Sequence, residues 1–228
     1  MSVFHFCSVR GLPQSADGLA AHFNIPNLPA LISQFLYERE NPELDIDLDD
    51  VPLADCPEPT GKIRVFPSAI AIYYAPSDRS GTRGMFREQI HAIDSWRKGP
   101  GCHDCVFVSH SPDLLGFQGY YVARVRLFLS IRHWKKVYPC ALVSWYSTVG
   151  AVPCPETGMW MVEPDYNVTG SLAMSIIHLG AIERGAHLMG VAGKHCIPHN
   201  VVFHNSLDAF QSYYVNKYID HHAHKLVF

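Results

Sequence analysis

The sequence lacks any uninterrupted apolar stretch of about 18 residues, which is the length that a membrane-spanning helix needs. It also lacks the basic segment followed by a long apolar run that marks a secretory signal peptide. The 228 residues carry a net charge of −3, so no overall positive field draws the chain onto nucleic acid. We therefore expect an intracellular protein without a membrane span, in which any contact with nucleic acid is local.

Regular cysteine and metal-ligand spacings are lacking as well. The seven cysteines are odd in number and irregularly spaced, which favours reduced thiols over a disulfide framework. Cys102 and Cys105 form a Cys-x-x-Cys pair, but no second pair follows, and the segment runs into a predicted strand instead of a helix. The chain has fourteen histidines, and two loosely spaced zinc alternatives remain: Cys196 with His199 or His204, or the C-terminal group of His221, His222 and His224. We expect no metal and no cofactor.

Two strand patterns organise the rest of the chain. From Tyr121 to Ile131 the odd positions are apolar while Arg124 and Arg126 occupy even ones, which predicts a strand with one buried face. Residues 138–146 form an almost unbroken apolar run, typical of a central strand that is buried on both faces. Turn residues separate further strands, which predicts a small barrel or sandwich without βαβ units; these strands are expected at 63–74, 106–108, 158–163, 172–179 and 181–191.

Helical patterns flank the strands. Residues 15–39 predict two short helices that break at Pro26, with Ser15 and Asn27 as caps. An acidic, proline-rich connector follows, so residues 1–59 are expected to form an arm and residues 60–228 a β-barrel domain. We also predict an amphipathic helix over residues 206–219, packed on the barrel, because apolar side chains recur there at helical spacing: Leu207, Phe210, Tyr214 and Tyr218.

A series of short segments matches one known family in a single order: Ala75–Asp78, Ser95–Arg97, Asp104–Val108, Ala123–Val125, Tyr138–Val143, Gly158–Trp160, Ile177–Leu179 and Tyr214–His224. Together they resemble the C-terminal region of the Plavaka-type transposases of fungal DNA transposons, which are similar to the CACTA group. The resemblance extends from about Phe6 to the end of the chain. It implies a transposase-derived nuclear protein whose catalytic carboxylates and zinc finger would lie upstream, so no catalytic residue is carried over.

The expected function is therefore that of a non-catalytic accessory module that contacts DNA, chromatin or a protein partner. The layout from Leu142 to Leu179 is also similar to bromo-adjacent homology domains, which are SH3-like barrels that read chromatin. This analogy predicts a mainly β fold, with an SH3-like barrel over residues 60–191 and helices on its flanks.

Three sets of side chains are candidates for a functional site. A basic and aromatic cluster suits phosphate contacts: Arg79, Arg83, Arg87, Trp96, Arg97 and Lys98. An aromatic pocket suited to a peptide would use Trp145, Tyr146 and Trp160. The enzymatic alternative is a metal-dependent RNase H-like nuclease, which needs several converging carboxylates, and the acids near predicted strands are Asp104, Glu163, Asp165 and Glu183.

Overall fold

Two long antiparallel strands, β6 (Tyr120–His133) and β7 (Lys136–Thr148), form the centre of the molecule. They were found in a computed structural model that describes residues 8–43, 51–76, 83–95, 98–111, 113–193, 196–197, 199–202 and 204–227. Residues 140–144 of β7 are buried on both faces, as the unbroken apolar run predicts. This confirms the expectation that the two strands lie at the centre of the sheet.

Ten shorter strands and three helices surround this pair in the described residues. The helices are α1 (Ala16–Phe23), α2 (Leu28–Glu40) and α3 (His221–Val227). The strands before β6 are β1 (Ile63–Phe66), β2 (Ser68–Tyr74), β3 (Met85–Ile93), β4 (Cys102–His103) and β5 (Cys105–Ser109). The strands after β7 are β8 (Met161–Pro164), β9 (Met174–His178), β10 (Ile182–Ala186), β11 (Leu188–Gly190) and β12 (Tyr213–Val215).

Nine of these strands form one antiparallel sheet that nearly closes into a barrel. Its order is β10-β5-β6-β7-β8-β12-β11, while β1 also pairs with β6 and β9 with β7. The two strands at the ends of this order, β10 and β11, are separated in the chain by His187 alone. The expected single strand over 181–191 is therefore split, and each half pairs with a different edge. The mainly β fold class is confirmed.

Strand β6 departs from the predicted half-buried pattern because a β-bulge interrupts its pairing with β7. The register shifts between Val125 and Leu127, so Arg126 occupies the extra position. A one-residue shift exchanges the faces of a strand. Val125 therefore packs with the β2–β3 hairpin, whereas Leu127 and Leu129 pack with the N-terminal helices, and both faces of the strand are buried. The prediction of one polar, exposed face was wrong.

The two N-terminal helices and their break at residues 24–27 are confirmed. Ser15 caps α1 because its Oγ accepts a hydrogen bond from the Gly18 amide, and Asn24 ends the helix in the left-handed conformation at φ 54°. Leu28, Ile32 and other buried side chains of these helices pack against the strands β1, β6, β7 and β9 in one apolar cluster. The helices thus cover one face of the sheet.

The predicted helix over residues 206–219 was wrong. This segment contains a single 3₁₀ turn, Ser206–Asp208, and then β12, while the C-terminal helix begins only at His221. Tyr213 and Val215 are fully buried and Tyr214 between them is partly exposed, which is the period of a strand. β12 supplies backbone partners to both β8 and β11, so tertiary pairing outweighed the helical spacing of the apolar residues.

Candidate functional site

The basic cluster expected between residues 79 and 98 does not assemble as one site. Arg79, Trp96 and Arg97 lie outside the described residues. Arg83 precedes β3 and Arg87 lies near its start, whereas Lys98 follows its far end; all three are exposed. The six steps from Arg87 to Ile93 alone span about 20 Å of extended strand. Arg83 and Arg87 therefore share one end of the β2–β3 hairpin, and Lys98 lies at the other.

A denser basic surface lies at the turn between β6 and β7. We call it the hairpin patch, and its exposed members are Lys62, Arg64, Arg132, Trp134, Lys135 and Lys136. Trp134 is 72% exposed and adopts a left-handed backbone, φ 51°, at the tip of the turn. Within the part of the chain that the structure describes, none of these five basic side chains forms an ion pair.

Strand pairing explains why two parts of the chain contribute to this patch. The edge strand β1 pairs with β6, with Ile63 opposite Ile131, and the Arg132 amide donates to the Lys62 carbonyl at 3.3 Å. Lys62 and Arg64 share the outer face of β1 because side chains alternate along a strand. The base of the turn is anchored to α2, since the buried His133 ring lies 3.0 Å from the Glu40 carboxylate.

This surface was not among the expected sites, although the sequence carries a signal for it. Residues 132–136 read Arg-His-Trp-Lys-Lys, a basic run around one aromatic residue. The signal is short because the run is a tight turn between two strands. Lys62 and Arg64 are about 70 positions away in sequence, so only the pairing of β1 with β6 shows that they belong to it.

The predicted aromatic pocket is brought together only in part. Trp145 and Tyr146 line a cavity of about 320 Å³ beside Arg126 and the 3₁₀ turn at residues 206–208. Trp160 is in the core instead, where its ring stacks on Phe117 at a centroid distance of 5.1 Å. The three residues therefore do not form one aromatic cage.

Two arginines give this cavity a positive character. Arg124 is buried, and its Nη1 donates to the Asp208 carboxylate at 2.6 Å, so its charge is paired. Arg126 Nε donates to Ser144 Oγ at 3.0 Å, and Arg126 forms no ion pair with the residues that are described. Burial, followed by the charge of Arg124, lowers the pKa of Arg126. The cavity is therefore suited to an oxyanion that would offset the Arg126 charge.

The acids of the nuclease alternative do not converge. Among the described residues, the group of His, Cys, Asp and Glu side chains that lies at metal-ligand distances contains Asp104 but none of Glu163, Asp165 and Glu183. Glu163 is exposed on β8, and Asp165 follows that strand in a turn toward β9. A two-metal mechanism needs two or more carboxylates on the same ions, and these four do not supply that arrangement.

The group that contains Asp104 also contains His91 and Cys102. Asp104 Oδ2 accepts a hydrogen bond from the His91 amide at 2.7 Å and lies 3.0 Å from His91 Nδ1. The Cys102 thiol donates to Asp104 Oδ1 at 3.4 Å. Burial and the neighbouring Asp104 charge raise the pKa of Cys102 to about 11, so the free thiol is protonated near neutral pH. Cys105 is almost fully buried and is not part of the group.

These features define a mainly β protein with a barrel-like sheet, two helices on one face and a basic hairpin at one end. No helix in the described ranges is long and apolar enough to cross a membrane. No protein-family model matches the chain, and neither a curated protein nor a solved structure matches it.

Proposed function

We propose that this protein is a non-catalytic, transposase-derived module that binds DNA through the hairpin patch. The observation that carries the proposal is the set of five exposed Lys and Arg side chains around the exposed Trp134. Their charges are not offset by ion pairs within the described residues, so they are available to phosphates. Such local basic surfaces bind nucleic acid even when the whole chain is slightly acidic.

The shape of the patch agrees with this role. A tight β-turn held at its base by His133 and Glu40 presents the cations on a rigid element, which lowers the entropy lost on binding. An exposed indole next to Lys and Arg side chains is suited to stack on an unpaired base or to insert beside a sugar. The barrel-like sheet would then be an SH3-like scaffold, and the nucleus would be the place of action, as the resemblance to Plavaka-type transposases implies.

The salt dependence of DNA binding tests this proposal. Replacing Arg132, Lys135 and Lys136 with Gln removes three expected phosphate contacts, so the slope of log K against log salt should decrease by about 2.7, at roughly 0.9 per contact. Fluorescence anisotropy on a labelled duplex measures this slope, and on a single strand of the same sequence the expected decrease is about 2.1, at roughly 0.7 per contact.

The matched control replaces Arg83, Arg87 and Lys98 with Gln, because it removes the same net charge from a different surface. Its slope should remain close to that of the wild type. Equal effects of the two triple variants would show a general charge effect and contradict a specific role for the hairpin patch. No binding of the wild type at low salt would also refute the proposal.

A second candidate function follows from the cavity at Arg126. We propose as an alternative that it binds a carboxylate side chain of a protein partner, with Trp145 and Tyr146 forming its walls. The half-buried and unpaired charge of Arg126 favours this ligand over a neutral one. On an array of acidic and neutral peptides, Arg126→Gln should abolish the enrichment of acidic peptides, whereas Arg87→Gln should preserve it. The absence of enrichment for the wild type would remove this candidate.

A further inference from the structure

The side chains of His91, Cys102 and Asp104 meet because of the pairing between β3 and β4. Ala92 lies opposite His103 and Ile93 opposite Cys102, so the next pair along the ladder places His91 opposite Asp104. The Asp104 amide donates to the His91 carbonyl at 2.9 Å, which continues the ladder. Side chains two residues apart in a strand share a face. Cys102 and Asp104 therefore project on the side that carries His91.

The same alternation explains why the second cysteine of the Cys-x-x-Cys pair is not involved. Cys105 is three residues after Cys102 in extended chain, so its side chain points to the opposite face. There it packs in the core with Phe107 and Tyr146. Cys102 and Cys105 therefore cannot share one metal ion as a Cys-x-x-Cys pair, but His91 and Asp104 lie beside Cys102.

We infer that His91, Cys102 and Asp104 form a binding site for a divalent metal ion of intermediate softness, of which Zn²⁺ is the best match. Imidazole nitrogen, thiolate sulfur and carboxylate oxygen are the three protein donors that zinc accepts. Their donor atoms all lie within 4.8 Å of one another. Harder ions such as Mg²⁺ prefer oxygen donors, so the thiol and the imidazole disfavour them here.

The distances are close to those around a tetrahedral ion. With bonds of about 2.0–2.3 Å, neighbouring ligand atoms around zinc lie roughly 3.3–3.8 Å apart. The two observed separations, to the two different oxygens of one carboxylate, are 3.0 Å for His91 Nδ1 to Asp104 Oδ2 and 3.4 Å for Cys102 Sγ to Asp104 Oδ1. An ion would replace these two hydrogen bonds, so the ligand atoms would have to move apart by a few tenths of an ångström to reach the zinc separations. The hydrogen bond from the His91 amide already fixes the orientation of the Asp104 carboxylate, as outer contacts do in zinc sites.

The charge balance and the accessibility also suit a cation. When the ion binds, the Cys102 thiol loses its proton to the buffer, and one thiolate with one carboxylate neutralises the divalent charge. The nearby guanidinium of Arg124 is paired with Asp208, so its repulsion is reduced. The His91 side chain is 17% exposed and that of Asp104 36%, which leaves a path for the ion and a coordination position for water. The site goes beyond DNA binding and does not depend on it.

Cobalt spectroscopy on the full chain tests the site. Co²⁺ substitutes for Zn²⁺ and gives a thiolate-to-metal charge-transfer band in the near ultraviolet only when a cysteine is a ligand. The wild type should show this band, and Zn²⁺ should abolish it by competition. Cys102→Ser and Asp104→Asn should each weaken binding more than about 100-fold, since outer-shell changes alone cost 10–100-fold. Cys196→Ser is the control, because Cys196 is exposed and far in sequence from the site.

Both substitutions are conservative, so the fold should be retained. Serine and asparagine retain hydrogen-bonding groups of similar size, and circular dichroism verifies folding. A charge-transfer band that persists in Cys102→Ser, or a wild type that shows no such band, would overturn the inference and leave a hydrogen-bonded triad. Cobalt bound only by surface histidines gives no thiolate band and counts against it too. The Cys102→Ser variant should retain the wild-type affinity for DNA, which separates this test from that of the hairpin patch.

Discussion

Replacing Asp220 should destabilise the protein more than the loss of an ordinary surface carboxylate. Asp220 precedes α3, and its two oxygens accept hydrogen bonds from Arg184 at 2.8 and 2.6 Å. The Arg184 side chain is only 3% exposed, so its charge depends on this carboxylate. Asp220 Oδ1 also accepts a hydrogen bond from the Ala223 amide at 2.7 Å, which caps the helix.

The structure sets the size of the effect. Removing one partner of a buried ion pair leaves an uncompensated charge and costs about 3–5 kcal/mol. The Asp220 side chain is 33% exposed, so solvent screens part of the interaction, and Glu88 remains 3.8 Å from Arg184 Nε and offsets part of that charge. We therefore expect the lower end of the range, about 3 kcal/mol, for Asp220→Asn. For a chain of this length the melting temperature decreases by about 2–4 °C per kcal/mol, which predicts a loss of roughly 6–12 °C. Asp220→Ala also removes the cap and should lose about 1 kcal/mol more.

The effect should depend on pH. Burial alone would raise the pKa of Asp220, but the hydrogen bonds from Arg184 and from the Ala223 amide outweigh it and lower this pKa below its usual value of 3.8. The stabilisation by a carboxylate with a lowered folded-state pKa is complete above the unfolded-state pKa and decreases as the pH falls through the folded value. The difference between wild type and Asp220→Asn should therefore be full at about pH 7 and should shrink below about pH 4.

Thermal and urea denaturation followed by circular dichroism measure this difference. Asp113→Asn is the matched control, because Asp113 is exposed and forms no ion pair with the described residues. A melting temperature of Asp220→Asn equal to that of the control would refute the assigned role of the Arg184 pair. A difference that stayed constant down to acid pH would refute the electrostatic explanation and would favour lost packing.

Two further predictions concern the core. In Gly190→Ala, the added methyl group would overlap the ring of Phe210, so the free energy of unfolding should decrease by about 1–3 kcal/mol. Urea titrations measure this change, and unchanged stability would contradict the packing of Phe210 on β11. Alkylation of the native protein should modify Cys196 well before Cys105, which should react only after denaturation, because Cys196 is exposed whereas burial raises the pKa of Cys105 to about 12. Mass spectrometry of peptides follows the order of modification, and early labelling of Cys105 would contradict its burial.

Local features of the fold could be predicted from the sequence because local interactions produce them. The Ser15 cap and the apolar spacing of residues 15–39 predicted both N-terminal helices, although the Asn27 side chain makes no capping hydrogen bond. Pro67 correctly marked the interruption between β1 and β2, since proline cannot donate to a strand ladder. The apolar run of β7 likewise predicted its burial on both faces. At residues 206–219 the same reasoning failed, because pairing with β8 and β11 selected a strand.

The candidate sites were harder to predict from the sequence than the helices and strands. The expected cluster was based on proximity in sequence, but the nine-residue strand β3 separates Arg83 from Lys98. Lys62 and Arg132 instead meet through strand pairing. Likewise, His91 and Cys102 come from different strands, and the spacing between them matches no known ligand pattern.

By itself, the sequence determined that this chain is mainly β, where its central strands and first helices lie, and that its overall charge is close to zero. Only the tertiary structure decided which side chains of β6 pack against the β2–β3 hairpin and which against the N-terminal helices. It also decided how β10 and β11 nearly close the sheet and which polar side chains meet. The physical reason is that helix caps and side-chain periodicity act over a few residues, whereas a bulge at Arg126 and the register of paired strands depend on partners distant in sequence.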